Sequence, residues 1–170
     1  MGKTSVAREL VERGGGVHLH SDDFLGYLEP CIPPHLPESH DQNITVVNAL
    51  ARAAAAYAEG GYAVYLDGVI GPWFLPRYAR ALVSYDVPTH YMVLRVPLEL
   101  ALSRVHARGD HEIDDVVRQM HASFADLEDL ENHVVDAQPN IRTLADTLSA
   151  ALGHGDYRLD LSQVASRPGI

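Results

Sequence analysis

Gly2-Lys3-Thr4-Ser5-Val6-Ala7-Arg8-Glu9-Leu10 is the stretch on which the reading of this chain turns. Lys3 is the one lysine in 170 residues; the other positive charges are arginines. A lysine between glycine and threonine, at the start of an amphipathic helix, matches the end of the phosphate-binding pattern G-x-x-x-x-G-K-[ST]. Each residue type has a physical use there. The free N–H groups of a helix start bind anionic oxygens, a flexible ammonium reaches the β- and γ-phosphates, and a hydroxyl joins a magnesium shell. The first glycine of the pattern, and any strand ahead of it, lie outside the sequence.

Working outward, Val6, Ala7, Leu10 and Val11 recur at helical spacing over residues 4–13, and Gly14-Gly15-Gly16 closes the helix. A short strand at 17–20 runs into Ser21-Asp22-Asp23-Phe24. Residues 25–40, with Pro30, Pro33, Pro34 and Pro37, read as a loop long enough to be functional. An Ala-rich helix is predicted over 44–59, then a buried-type strand over 62–66 that ends at Asp67-Gly68. A second irregular stretch, a short helix over 73–84, a strand over 90–96 and a helix over 98–108 follow. Asp110-His111-Glu112 reads as the start of the next helix. Ile113, Val116, Val117, Met120, Phe124, Leu127 and Leu130 predict one long amphipathic helix. A strand at 133–136 precedes a last helix that Asn140 caps. Residues 153–170 read as a polar tail with no assigned role, so the domain is taken as 1–152.

Four strands alternating with helices predict an α/β domain with a mainly parallel sheet. Ligands of such sheets bind at the carboxyl ends of the strands. Those ends carry Asp22-Asp23, Asp67-Gly68, Pro97 and Asp136, which places a candidate site along that edge.

Composition narrows the function classes. The formal net charge of −10 counts against a nucleic-acid or anionic-membrane surface, but not against a small cationic groove for one phosphorylated ligand. Cys31 is the single cysteine, so there is no disulfide framework and no thiolate zinc site. With no run of about 20 apolar residues and no secretory pattern, the expectation is a soluble, cytoplasmic chain. His18 and His20 share a strand face, but no third ligand at recognisable spacing supports a metal reading. Trp73 and Phe74, after Gly71-Pro72, serve equally as core packing or as the wall of an acceptor pocket.

From Gly2 to about Leu152 the order of parts resembles P-loop small-molecule kinases and phosphotransferases. The closest likeness is to the group with chloramphenicol phosphotransferase, zeta-toxin and polynucleotide-kinase-like enzymes. GKTSVAREL (2–10), HSDDF (20–24), VYLDG (64–68), ALSRVHARG (101–109) and HVVDAQPNIRTLADTL (133–148) carry it. The resemblance implies a three-layer sandwich whose central first strand is missing from this chain. It implies ATP and Mg²⁺ as cofactors, with Gly2, Lys3, Thr4 and Ser5 at the nucleotide and Thr4 and Asp67 at the metal. Asp22, or else Asp23, would take the proton of an acceptor hydroxyl. Arg104 and Arg108 would neutralise charge on the transferred group.

The function expected is γ-phosphoryl transfer from ATP to a hydroxyl of a small molecule, the acceptor being chosen by the loops at 25–40 and 69–73. Two alternatives stand beside it: a nucleic-acid 5′-hydroxyl kinase, and a degenerate P-loop protein that binds nucleotide without turnover. Losing the strand ahead of the loop would leave two neighbours with unpaired edges. It would also remove burial worth on the order of 10 kcal/mol. Either Met1 is internal to a longer reading frame, or a partner or second copy in a homo-oligomer supplies that strand.

Overall fold

The computed structural model describes residues 2–110 and 112–167; His111 of the predicted helix start lies outside the described residues. The opening helix, α1 (Lys3–Gly14), leads into β1 (Val17–His20) and a short α2 (Ser21–Leu25). The proline-rich loop ends at α3 (His40–Glu59), which begins four residues before the predicted start at 44. Next come β2 (Val64–Asp67), α4 (Leu75–Leu82), β3 (Val93–Arg95), α5 (Leu98–His106) and α6 (Asp114–Ser123). The chain closes with β4 (Val134–Asp136), α7 (Ile141–His154) and α8 (Leu161–Ala165). Among the described residues no helix is long and apolar enough to cross a membrane.

The strands are parallel, as expected, but they do not form one sheet. β1 pairs with β2 in the register Val17↔Val64 to His20↔Asp67, and β3 pairs with β4 from Val93↔Val134 to Arg95↔Asp136. Among the described residues these are two separate two-stranded sheets, and no ladder joins β2 to β3. Two isolated strand pairs bury little on their own. Helices supply the continuity. Val6 and Leu10 of α1 share a core with Ala101, Leu102 and Val105 of α5, Val135 of β4 and Leu144 and Leu148 of α7. Tyr65 of β2 and Leu94 of β3 both pack against that core, so it bridges the two sheets. A second core sets Val46, Val47 and Leu50 of α3 against Tyr78 of α4, with Leu19 and Leu66 over it.

Gly16 explains how β1 enters alongside β2. Its φ of 121° is a conformation that side chains rarely adopt, and a Cβ there would lie 2.4 Å from the Ala63 carbonyl oxygen. That closeness lets the Val17 amide donate to the same oxygen at 2.8 Å.

One helix also ends earlier than expected, for a physical reason. The long helix predicted through Leu130 stops at Ser123. The Asp126 carboxylate accepts from the Glu128 amide at 3.0 Å, a local bond that competes with helix continuation. Glu128 then takes a φ of 51°. Arg95 of β3 holds the turn from outside, pairing with Glu131 and donating to the Phe124 carbonyl at 2.7 Å. Leu127 and Leu130 thereby reach a core with Val93 that a straight helix would have carried them past.

The region after residue 152, read as a polar tail with no assigned role, packs against the rest of the chain. α7 runs on to His154, and Leu159 and Val164 are buried beside Leu75, Ala79 and Val93. His90 bridges antiparallel to Arg158, and Arg80 donates to the carbonyls of Ala165 and Arg167 at the end of α8.

The α3–α4 contact gives a paired prediction. Leu50 is 1 % exposed, so Leu50→Ala is expected to cost about 2–5 kcal/mol. The Tyr78 hydroxyl is buried without a hydrogen-bond partner among the described residues, and burial pushes its pKa well up. Tyr78→Phe removes an unsatisfied polar atom and is expected to raise stability by about 1 kcal/mol. Urea melts of both variants would show opposite shifts in midpoint.

Candidate functional site

α1 begins without a side-chain cap. Gly2 sits at φ 87°, and its carbonyl accepts the first helical bond from the Val6 amide at 2.9 Å. The amides of Lys3, Thr4 and Ser5 therefore have no acceptor within the helix and present a positive end. Thr4 is half-buried and Ser5 exposed.

Asp67, at the carboxyl end of β2, is 6 % exposed and is the centre of the site. The Thr4 hydroxyl donates to its Oδ2 at 2.7 Å. Its Oδ1 faces His18 Nε2 at 2.5 Å and His20 Nδ1 at 3.1 Å. The pleat explains the pair, since residues two apart on β1 project to the same side. Burial pushes the Asp67 carboxyl up, but the bonds from His18 and Thr4 and the charge of His20 outweigh it and hold it below its ordinary value.

Asp22 follows at the start of α2. Its side chain is 70 % exposed, with Oδ2 3.3 Å from His20 Nε2. The Ser21 hydroxyl donates to its Oδ1 at 3.1 Å. Gly68 allows this approach, because a Cβ there would lie 2.2 Å from Ser21 Oγ. Lys3 is half-buried beside the same groups. Burial lowers its pKa, Asp67 and Asp22 oppose that shift, and Arg108 adds to it. Lys3, Thr4, Asp22 and Asp67 thus meet from two helices and a strand, with Arg108, in the turn after α5, within the electrostatic reach of Lys3.

The remaining predicted residues lie differently. Asp23 is exposed in the first turn of α2, and no side-chain hydrogen bond or ion pair holds it among the described residues. Arg104 spends both terminal nitrogens of its guanidinium on the Ala137 carbonyl, each at 3.2 Å, and so ties α5 to the exit of β4. Trp73 is half-buried, its ring 5.5 Å from that of Phe124, while Phe74 packs toward the α3 core. Surface concavities of about 530 and 310 Å³ border α4, and neither is lined by any predicted site residue.

The donor set suits a hard cation. The Thr4 hydroxyl and Asp67 carboxylate are oxygen ligands side by side, and magnesium characteristically takes one or two protein oxygens and completes its shell with phosphate and water. Among the described residues no three His, Cys, Asp or Glu side chains are grouped to hold a metal by themselves.

Residues 1–127 match the AAA domain family AAA_33. The chain belongs to that family. The AAA domain assigns it a P-loop nucleotide-binding unit, in agreement with the helix start, lysine and hydroxyl brought together above. A comparison with curated proteins finds no match. β4, α7 and α8 fall beyond the matched residues, yet β4 pairs with β3, α7 packs on α1 and α8 packs on α4.

His18, His20 and Ser21 were not among the residues expected to serve the site. The alternation His18-Leu19-His20 was a visible signal of a shared face, but Asp67 as its target required the β1–β2 register.

The burial of Lys3 makes a signed prediction. Its pKa is lower folded than unfolded, so its charge opposes folding fully at neutral pH, and the penalty fades as pH rises toward 10.5. Lys3→Met is expected to raise Tm by about 2–4 °C at pH 7, equivalent to about 1 kcal/mol, and by less near pH 10. Calorimetric scans at the two pH values would check it.

Proposed function

We propose that the chain is an ATP-dependent phosphotransferase that moves the γ-phosphoryl group to a hydroxyl of a small molecule. The observation that carries this reading is the meeting of Lys3, the Thr4–Asp67 pair and the exposed Asp22 carboxylate at one edge. A P-loop nucleotide site needs the first two; a carboxylate pinned next to them and open to solvent suits a general base.

In this scheme the amides at the start of α1 and the Lys3 ammonium bind the β- and γ-phosphates of ATP. Thr4 and Asp67 would hold Mg²⁺, which when bound draws negative charge from those phosphates. The acceptor hydroxyl gives its proton to Asp22 as its oxygen bonds to the γ-phosphorus. The bond to the bridging oxygen breaks, and ADP leaves with the electron pair. Arg108, exposed and within the field of Lys3, neutralises the equatorial oxygens; Arg104 supports it by fixing α5. Positioning and electrostatics of this kind are most of phosphoryl-transfer catalysis.

The finer fold in this reading is a three-layer sandwich, with one further strand between β2 and β3 drawn from outside the described residues. The acceptor is a small molecule rather than a nucleic acid, a choice supported by the net charge of −10.

Asp22→Asn is expected to lower transfer by about 10²- to 10⁴-fold, with affinity for Mg²⁺ and a non-hydrolysable ATP analogue kept within a few-fold. Lys3→Ala is expected to abolish that binding. Titration calorimetry and a screen of small hydroxyl compounds against a labelled oligonucleotide measure both. Full activity in Asp22→Asn would remove Asp22 from the mechanism. Binding without transfer or hydrolysis would leave a nucleotide-binding protein without turnover.

A further inference from the structure

Asp22 presents a mechanical problem. A carboxylate on the first turn of a five-residue helix, with 70 % of its side chain exposed, has several rotamers open to it. A general base must instead hold one position, since a displacement of about 1 Å can cost on the order of 100-fold in rate.

We infer that His20 is the positioning residue for Asp22, a strut that transmits the fixed position of the buried Asp67 to the exposed carboxylate. This rests on the phosphotransferase reading above. The two ring nitrogens of His20 face different carboxylates, Nδ1 toward Asp67 at 3.1 Å and Nε2 toward Asp22 at 3.3 Å. The Nδ1 contact is a hydrogen bond and the Nε2 contact lies at ion-pair distance, so the ring bridges the two carboxylates. The inner end of the strut cannot drift, because Thr4 and His18 hold the same Asp67 carboxylate at 2.7 and 2.5 Å. Backbone pairing fixes it again, since His20 and Asp67 are register partners at the end of the β1–β2 ladder. The outer end is steadied by the Ser21 hydroxyl on the other Asp22 oxygen. A rigid five-membered ring thus spans from the helix start that meets the phosphates to the group that takes the proton. Asp23, one residue on, has no comparable support, which is why the structure favours Asp22 over it.

The test separates the two nitrogens. Glutamine at position 20 places an amide N–H near the site of Nε2, and asparagine places one near Nδ1. His20→Ala and His20→Asn are expected to slow the basal hydrolysis of MgATP, water serving as acceptor, by about 10- to 100-fold. His20→Gln should recover most of that loss, and His20→Asn, which keeps an N–H toward Asp67, should bind the non-hydrolysable analogue with Mg²⁺ as wild type does. In an Asp22→Asn background His20→Asn should cause no further loss, as expected for residues that act as one unit. An equal loss in both backgrounds, or an asparagine variant as fast as the glutamine one, would overturn the inference.

A second arm needs no turnover. Long-range ¹H–¹⁵N correlation spectra should show the His20 Nε2 resonance moving in Asp22→Asn and Nδ1 moving in Asp67→Asn. An Nε2 signal indifferent to Asp22→Asn refutes the strut whatever the kinetics show. A wild-type chain that binds MgATP but never turns it over counts instead against the phosphotransferase reading, and the spectra then decide the strut alone.

Discussion

The carboxylate of Asp67 joins three segments that lie far apart in sequence, and the geometry of the site depends on it. A charged group this buried is costly unless its oxygens are paired. Thr4 from α1 satisfies one oxygen; His18 and His20 from β1 satisfy the other. None of the three can leave without uncovering a charge in a low-dielectric place. The start of α1, the strand end that leads to Asp22 and the strand end that carries Asp67 are therefore locked in one arrangement.

That lock matters because the sheet does not supply it. With β1–β2 and β3–β4 as separate pairs among the described residues, no continuous ladder fixes the carboxyl edges against each other. Helix packing takes that part. α1 lies against β2 and α7, so the element that carries Lys3 and Thr4 also spans the break. The end of the chain contributes likewise, with Leu159 and Val164 filling the core below β3 and α4. Arg95 anchors the turn that brings Leu127 and Leu130 to the same place.

The charge distribution fits this division of labour. In a chain with a formal net charge of −10, the half-buried Lys3 ammonium lies within the field of the exposed Arg108 guanidinium. Lys3 is held there at a cost in stability, since burial disfavours its charge and Asp67 and Asp22 only partly compensate. Groups that meet phosphate are commonly kept in such places, where an arriving anion completes the pairing that the free protein lacks.

Much of the site was legible in the chain because its signals are local. Lys3 and Thr4 announce themselves by the glycine before them and the helical apolar spacing after them. Asp22 and Asp67 stand at the ends of short apolar runs, where a parallel arrangement puts its ligands. The Asn140 cap, whose side chain accepts from the Thr143 amide at 3.0 Å, was equally plain. Other features depend on partners that no local pattern names. The apolar spacing through Leu130 cannot reveal that Asp126 bonds forward and Arg95 reaches across to stop α6. Nor does the polar run after residue 152 show that Leu159 and Val164 are core. The sequence by itself determined the alternation of strands and helices and the residue types at the phosphate edge, since these follow from spacing and chemistry within a few residues. Only the tertiary structure decided that His18 and His20 meet on Asp67, that Arg104 serves a backbone carbonyl and that Asp22 is held while Asp23 is not. Those outcomes depend on strand register and helix docking, which bring together residues dozens of positions apart.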